Sequence, residues 1–146
     1  MNILITAAST AQAYQLERFL DSGGTIFFAD SVELPQVMLK DKQFVKIPKP
    51  ENPSFAHLLL TVCLDRQIEK LFPLRRLEVL ALAEARQLFD EYGIEVVVPL
   101  QPAESFWQKK PSKGELILLS NPLAQHSRGI FVRNDGDEVR VLFTVD

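Results

Sequence analysis

Short apolar segments alternate with helix-length segments through the first two-thirds of the chain, and this alternation limits the possible folds more than any other feature. The apolar segments have the length and composition of buried strands, and they cover residues 2–6, 25–30, 44–47, 68–73 and 94–98. Helices between strands imply right-handed crossovers and a sheet covered on both faces. The sequence therefore predicts an α/β fold: a Rossmann-like three-layer αβα domain with a mostly parallel sheet over residues 1–99.

The helical segments carry recognisable start and stop signals. Helices are predicted over 10–22, 53–66 and 77–92, with a short helical turn over 35–40. Asn52 is the expected N-cap of the second helix, and Gly93 is the expected stop of the last. The second helix is expected to bury Phe55, Leu58, Leu59, Val62 and Cys63. The last is expected to bury the side that carries Leu77, Leu80, Ala81, Ala85, Leu88, Phe89 and Tyr92.

The character of the chain changes after Pro99. Residues 101–114 contain Pro102, Pro111 and Gly114 and indicate a loop, and residues 115–119 indicate a strand. Residues 131–143 indicate a β-hairpin that turns at Asp135-Gly136. Residues 100–146 are therefore expected to form a short C-terminal antiparallel β extension, packed on the first domain or on a partner chain.

Composition limits the partners and the cellular location. The 146 residues suit one domain with a small appendage, and the net charge of −3 counts against a nucleic-acid partner, which favours a basic protein face. No apolar run approaches the roughly 20 residues that span a bilayer, and the first residues do not resemble a signal peptide. We therefore expect a cytoplasmic protein with no nucleic-acid and no membrane partner.

Polar residues follow three of the predicted strands at the edge where parallel sheets bind ligands. The start of the first helix and a nearby arginine pair together suit a small anion, because free backbone N–H groups and guanidinium groups both bind negative charge. The candidate ligand-binding residues are Ala8, Ser9, Thr10, Asp30, Arg75 and Arg76.

Structural roles are the alternative for each of these residues. Ser9 or Thr10 suits an N-cap that needs no ligand, and Asp30 could cap the turn that follows it. Arg75 and Arg76 could be a solvated helix start, although cations are unfavourable near a helix N-terminus. These alternatives remain open at the level of the sequence.

Catalytic and metal-binding signals are weak. Cys63 lies in an apolar run and suits a buried hydrophobic position, while His57 and His126 lack the spacing of metal ligands. The chain has no Gly-x-Ser-x-Gly elbow, no Walker A motif and no Gly-x-Gly-x-x-Gly after the first strand. We predict no catalytic residue, no metal and no cofactor.

Three stretches resemble the N-terminal preATP-grasp domain of ATP-grasp proteins related to the large chain of carbamoyl-phosphate synthase. That family has a strand ending in proline, a charged pair and a leucine-rich helix with Leu-Ala-Glu. The stretches here are FPLRRLEVLALAEARQLF (72–89), ADSVELPQVMLKDKQFVKIPKPENPSF (29–55) and YGIEVVVP (92–99). The resemblance covers about residues 1–99 and implies the Rossmann-like fold predicted above.

Two departures from the family shape the expected function. The family has a glycine-containing loop after its first strand, where this chain has Ala7-Ala8-Ser9-Thr10. The family's ATP-grasp domain also needs more residues than follow Pro99, so we expect no ligase activity from this chain alone. The leading hypothesis is a preATP-grasp-like module, non-catalytic by itself, that binds a small anionic metabolite or docks onto a separate ATP-grasp partner. A structural module without a ligand and an enzyme using the strand-end crevice are the alternatives, and a homodimer is expected.

Overall fold

A computed structural model describes residues 1–20, 23–35, 42–99, 102, 107, 115–119, 129–133 and 140–146. The strands within these ranges are β1 (Asn2–Ile5), β2 (Thr25–Asp30), β3 (Gln43–Lys46), β4 (Lys70–Phe72), β5 (Glu95–Val96), β6 (Glu115–Leu119), β7 (Gly129–Arg133) and β8 (Arg140–Leu142). The helices are α1 (Ala11–Leu20), α2 (Phe55–Asp65), α3 (Arg76–Glu84) and α4 (Arg86–Glu91).

The first five strands form one parallel sheet in the order β3-β2-β1-β4-β5. The first strand, β1, lies in the middle of this sheet. β2 and β3 follow on one side of it, and β4 and β5 lie on the other side. This order is that of a Rossmann-like fold, and its switch point lies between β1 and β4. The predicted α/β fold with a mostly parallel sheet is confirmed.

Hydrophobic clusters cover both faces of the parallel sheet. Leu4 and Leu71 face α2, α3 and α4, whereas Ile5 and Phe72 belong to the cluster that contains Ala13 of α1. Alternate residues of β1 and β4 therefore enter opposite clusters, as the two-residue period of a strand requires. The structure has the three layers expected from the sequence, because each face of the sheet is covered.

The residues after Pro99 add a second sheet, antiparallel and ordered β6-β7-β8. The predicted strand over 115–119 and the pairing of the predicted hairpin are confirmed, while the hairpin turn and most of the loop over 101–114 lie outside the described residues. Ile130 joins the α1 cluster and Phe131 joins the opposite cluster, so this sheet contacts both sides of the core.

The start of α2 differs from the expectation. Ser54 is the N-cap, and the side-chain oxygen of Asn52 accepts a hydrogen bond from the Ser54 N–H at 2.8 Å. Asn52 therefore stabilises a turn ahead of the helix, which suits its tendency to bond the backbone two residues on, and Pro53 is not the first helical residue. Leu58 is also 44% exposed instead of buried, while Leu60 is buried.

The predicted helix over 77–92 is two helices that meet at Ala85, and its buried face is different from the expected one. Leu77, Leu80 and Tyr92 are 48%, 41% and 55% exposed. The buried residues are Glu78, Val79, Leu82, Arg86 and Phe89. The side chain of Glu78 points into the protein, where its carboxylate accepts a hydrogen bond from Thr6. Adjacent side chains on a helix point about 100° apart. The inward Glu78 therefore leaves Leu77 toward solvent.

Arg86 provides a test of how this face is packed. Its side chain is 6% exposed, and the carboxylate of Asp90 lies 3.8 Å from Nε. Within the described ranges, Nε and Nη1 are buried without a hydrogen-bond partner. A buried guanidinium with weak pairing costs desolvation that an apolar side chain of similar length avoids. We expect Arg86→Met to leave the free energy of unfolding unchanged or to raise it by up to about 2 kcal/mol in urea denaturation.

The matched control is Phe89→Ala in the same helix. Phe89 is fully buried, and its truncation is expected to lower the free energy of unfolding by about 3 to 5 kcal/mol. A loss of more than about 1 kcal/mol in Arg86→Met would show that the guanidinium stabilises the fold.

Candidate functional site

Three loops meet at the carboxyl edge of the parallel sheet. Residues 7–10 follow β1, Asp30 ends β2, and residues 73–75 lead from β4 into α3. Because β1 lies between β2 and β4, Asp30 and Arg75 stand on opposite sides of the β1 end. This edge is where open α/β sheets bind their ligands. We call this junction of the three loops the crevice.

Asp30 is the centre of the crevice. It is 1% exposed, and its Oδ2 accepts hydrogen bonds from the Ser9 hydroxyl at 2.6 Å and the Ser9 N–H at 3.0 Å. Its Oδ1 accepts the Ser31 N–H at 2.7 Å, and both oxygens lie 3.2 Å from Nη2 of Arg75. Each carboxylate oxygen is therefore bonded within the protein.

The surroundings of Asp30 keep it ionised. Burial acts to raise the pKa of the carboxyl group, but the hydrogen bonds from Ser9, the charge of Arg75 and the Ser31 N–H together hold that pKa below its ordinary value. The carboxylate therefore retains its charge at neutral pH. It links the loops after β1 and β4 through one buried group.

The backbone donors of the loop after β1 are already used. Ala8 N–H donates to the Ala29 carbonyl at 3.0 Å, and both the N–H and the hydroxyl of Thr10 donate to the Ala7 carbonyl, at 2.9 and 2.7 Å. Since the N–H and the hydroxyl of Ser9 both donate to Asp30, all five N–H and hydroxyl donors of residues 8–10 have acceptors within the protein. The structure brings these residues to the crevice and uses their donors to build it.

Ala7 explains how the loop forms without glycine. Its φ of 56° lies in the left-handed region that usually takes glycine, and its side chain is fully buried. An L-residue in this region costs on the order of 1 kcal/mol, which the surrounding bonds must offset. The turn is thus kept despite the departure from the family pattern.

Arg75 is a candidate residue whose remaining donors lie on a partly exposed side chain. Its guanidinium has five N–H groups, and only Nη2 bonds to Asp30, so within the part of the chain that the structure describes Nε and Nη1 have no acceptor. The side chain is 28% exposed. Arg75 is therefore fixed by Asp30 and keeps donors at the crevice that no described residue accepts.

Arg76 has a different environment. Its guanidinium carbon lies 5.1 Å from the centre of the Trp107 ring, and its backbone N–H donates to Oδ1 of Asp146 at 2.8 Å. Arg76 Nε is buried and has no hydrogen-bond partner among the described residues. The two arginines at the start of α3 thus lie beside acidic residues, which offsets the unfavourable position of cations at a helix N-terminus.

Thr6 and Glu78 belong to the crevice and were not among the residues predicted from the sequence. The Thr6 hydroxyl donates to Oε1 of Glu78 at 2.6 Å and accepts the Leu74 N–H at 2.8 Å. Glu78 also accepts a backbone hydrogen bond from Arg75, the N-cap of α3. An acid at the third helical position that bonds the N-cap N–H is half of a capping box, and this spacing was the available signal.

Burial raises the pKa of Glu78 to about 7, while the bond from Thr6 and the charge and N–H of Arg75 oppose that rise and Asp30 adds to it. Glu78 is 2% exposed, so its proton equilibrium depends on the interior of the crevice. Arg75 therefore lies near two carboxyl groups whose pKa values are shifted in opposite directions: that of Asp30 is lowered and that of Glu78 is raised.

The other reactive residues do not join the crevice. Cys63 is buried in α2, and burial raises the pKa of its thiol to about 12, which disfavours a thiolate nucleophile. His57 is exposed on α2, and His126 lies outside the described residues. Among the residues that the structure describes, no group of histidine, cysteine and acidic side chains could hold a metal.

None of the described helices combines the length and hydrophobicity that a bilayer-spanning helix needs.

Comparison with known proteins agrees with this fold. The sequence model of the PylC-like N-terminal domain matches residues 3–97, and the chain belongs to this family. The match confirms the resemblance to preATP-grasp domains over the same part of the chain. No curated protein matches the chain.

Two of the similar solved structures are "MoeE5 in complex with UDP-glucuronic acid and NAD" and "MoeE5 in complex with UDP-glucose and NAD". Each is 22% identical, with a TM-score of 0.46, and the alignment covers 86% of this chain and 44% of the MoeE5 chain. This chain thus spans less than half of that protein.

Glu78 gives the crevice a measurable pH dependence. Between its ordinary pKa of 4.5 and about 7, the folded protein keeps a proton that the unfolded chain has lost. The contribution of Glu78 to the free energy of unfolding should therefore fall as pH rises through this window, by up to about 1.4 kcal/mol per pH unit, and level off above it. Urea denaturation from pH 5 to pH 8 measures this slope.

Glu78→Gln should remove this part of the slope, while Glu84→Gln, at an exposed position of the same helix, should keep it. Asp30 affects stability in a different pH range. Because its pKa is lowered in the folded protein, its contribution to the free energy of unfolding is lost only as the pH falls below 3.8, its ordinary pKa. Equal pH slopes in the wild type and Glu78→Gln would contradict this assignment.

Proposed function

We propose that this chain is a preATP-grasp-like binding module that holds a small anionic metabolite in the crevice through Arg75. In this proposal the module presents its ligand to a separate ATP-grasp protein, the partner that the resemblance to carbamoyl-phosphate synthase implies. Two statements belong to this proposal: that the chain is related to carbamoyl-phosphate synthase in particular, and that its ligand is an anion. The family and the fold support the position of the crevice.

One observation carries the proposal: Arg75 is held by a buried carboxylate, while part of its guanidinium has no acceptor among the residues that the structure describes. Nη2 bonds to both oxygens of Asp30, and the side chain remains 28% exposed. A guanidinium fixed in this way loses less conformational entropy when it binds a ligand than a freely moving side chain does. Its planar donors match the oxygens of carboxylates and phosphates.

The chemistry of the crevice favours a contact to Arg75 over a contact to the Ser9 donors. An anion at Ser9 would have to displace Asp30, whose oxygens already hold both Ser9 donors. Two negative groups would then compete for the same N–H and hydroxyl. An anion at Nε and Nη1 of Arg75 breaks no bond of Asp30, so the buried carboxylate and the ligand can share one guanidinium.

Glu78 has the pKa of a general acid or base, but its contacts favour a positioning role. Catalytic carboxyl groups are often raised toward neutral pH, as Glu78 is. Glu78 is 2% exposed, however, and its oxygens receive the Thr6 hydroxyl and the Arg75 N–H. We infer that it fixes the loop that carries Arg75, and a binding role for the crevice therefore has more support than an enzymatic one.

The test is a ligand screen by thermal shift, followed by calorimetric titration of each hit. The panel contains inorganic phosphate, nucleotides, phosphorylated metabolites and amino acids. We expect at least one anionic compound to raise the melting temperature, and Arg75→Met to weaken its binding about 10- to 100-fold, since a charge-assisted hydrogen bond contributes about 1.5 to 3 kcal/mol.

The matched control is Arg18→Met, which removes an exposed arginine from the last turn of α1, near the opposite edge of the sheet. Arg75→Lys separates charge from geometry, because it keeps the cation and loses the planar donors. Circular dichroism confirms that each variant is folded before titration. Binding that is equal in the wild type, Arg18→Met and Arg75→Met, or a panel without any hit, would overturn the proposed function.

A further inference from the structure

A buried carboxyl group, that of Glu78, lies beside Arg75 in the interior of the crevice. Its Oε1 accepts the Thr6 hydroxyl at 2.6 Å, and its carboxylate also accepts the backbone N–H of Arg75. The Thr6 oxygen in turn accepts the Leu74 N–H at 2.8 Å. Glu78 is 2% exposed, so its charge acts on the arginine with little screening by water.

Two charged groups face Glu78 from the elements packed around it. The loop between β4 and α3 contributes Arg75, the end of β2 contributes Asp30, and the residue after β1 contributes the uncharged hydroxyl of Thr6. The charge of Arg75 favours the ionised form of Glu78, and the charge of Asp30 opposes that form. Within the described ranges, these two groups are the charges that act on the protonation of Glu78.

Asp30 shows how an anion on the Arg75 guanidinium acts on Glu78. Its two oxygens lie 3.2 Å from Nη2 of Arg75, and its negative charge raises the pKa of Glu78. An anion at Nε and Nη1 would occupy another edge of the same planar guanidinium and carry charge of the same sign. A bound anion should therefore also favour the protonated form of Glu78.

We propose that Glu78 couples the binding of an anion at Arg75 to the uptake of a proton. This inference rests on the proposed function of Arg75 and concerns how occupancy of that site is regulated. When Glu78 is protonated, a ligand meets one arginine and one carboxylate, that of Asp30, whose charges cancel. When Glu78 is ionised, the same ligand also meets a second carboxylate, which repels it.

The hydrogen bonds of Glu78 suit both protonation states. An ionised carboxylate accepts the Thr6 hydroxyl and the Arg75 N–H. A protonated carboxyl group keeps an acceptor oxygen for the Arg75 N–H and donates its own O–H to the Thr6 oxygen. That oxygen has two lone pairs, of which the Leu74 N–H uses one. The loop that carries Arg75 is therefore held in both states, and the charge beside it changes.

Thermodynamic linkage gives the sign and the size of the effect. Burial raises the pKa of Glu78 to about 7, so its charge changes near neutral pH. If a bound anion raises that pKa further, the affinity for the anion falls as pH rises, and the proton and the anion affect each other by the same factor. We expect the affinity to be about 3- to 7-fold lower at pH 8.5 than at pH 6, with about 0.2 to 0.4 proton taken up per anion at pH 7.

The experiment uses sulfate and oxalate as probes, because neither anion changes its own protonation between pH 6 and pH 8.5. Calorimetric titrations across this range, at an ionic strength held constant with chloride, give the affinity. Titrations at pH 7 in two buffers of different ionisation enthalpy give the number of protons taken up. NMR of the Glu78 carboxyl carbon gives its titration curve, which sulfate should move to higher pH.

Four variants, each checked for folding by circular dichroism, separate the charge of Glu78 from its structural role. Glu78→Gln should bind sulfate equally at pH 6 and pH 8.5, whereas Glu84→Gln, at an exposed position of α3, should keep the pH dependence of the wild type. Thr6→Ser retains the hydroxyl and should also behave as the wild type. Thr6→Val loses a hydrogen bond that favours the ionised form, so the fall in affinity should move to higher pH.

Arg75→Met supplies the background of binding that does not depend on Arg75. Arg75-dependent binding with the same affinity at every pH, or with an equal fall in Glu78→Gln, would overturn the proton coupling and leave the proposed function intact. A Glu78 titration that sulfate does not move would also overturn the coupling. Arg75-dependent binding of neither probe would overturn it as well, whereas the proposed function fails if the whole ligand panel lacks a hit.

Discussion

The buried carboxylate of Asp30 is the interaction on which the carboxyl edge of the sheet depends. It receives the hydroxyl and N–H of Ser9, the N–H of Ser31 and the guanidinium of Arg75, and it is itself almost fully buried. A buried charge with this many partners is stable only while those partners stay in place. The Asp30 carboxylate at the end of β2 therefore links the loops after β1 and β4, and it fixes one side of the Arg75 guanidinium.

The fold could be predicted from the sequence because its signals are local. The apolar strands, the helix-length segments between them and the stop at Gly93 are independent of distant contacts, so the parallel sheet followed from their order. The buried face of α3 could not be predicted in this way. Glu78 turns inward because Thr6, 72 residues earlier, donates to its carboxylate, and Leu77 is left exposed as a result. A long-range polar bond therefore overrides the apolar pattern of the helix.

The candidate site shows the same division. The topology brings Ser9, Asp30 and Arg75 together, and the strand ends identify them correctly as neighbours. Their bonding could not be predicted, because Ser9 suits an N-cap or an anion contact by its sequence alone, whereas in the structure its donors bond Asp30. Ala7 adopts a left-handed φ although it is not glycine. The turn is therefore present, but the glycine that would have signalled it in the sequence is not. The contact between Asp146 and Arg76 joins residues that are 70 positions apart in the chain, so no local sequence pattern predicts it.

A double-mutant cycle between Asp30 and Arg75 tests the central role of this pair most directly. The free energies of unfolding of the wild type, Asp30→Asn, Arg75→Met and the double variant give the coupling between the two side chains. Because both oxygens of a buried carboxylate contact one guanidinium nitrogen, we expect a coupling of at least about 1 kcal/mol, with the double variant less destabilised than the sum of the single ones. Additive effects within about 0.3 kcal/mol would show that Arg75 is not positioned by Asp30 and would contradict this account.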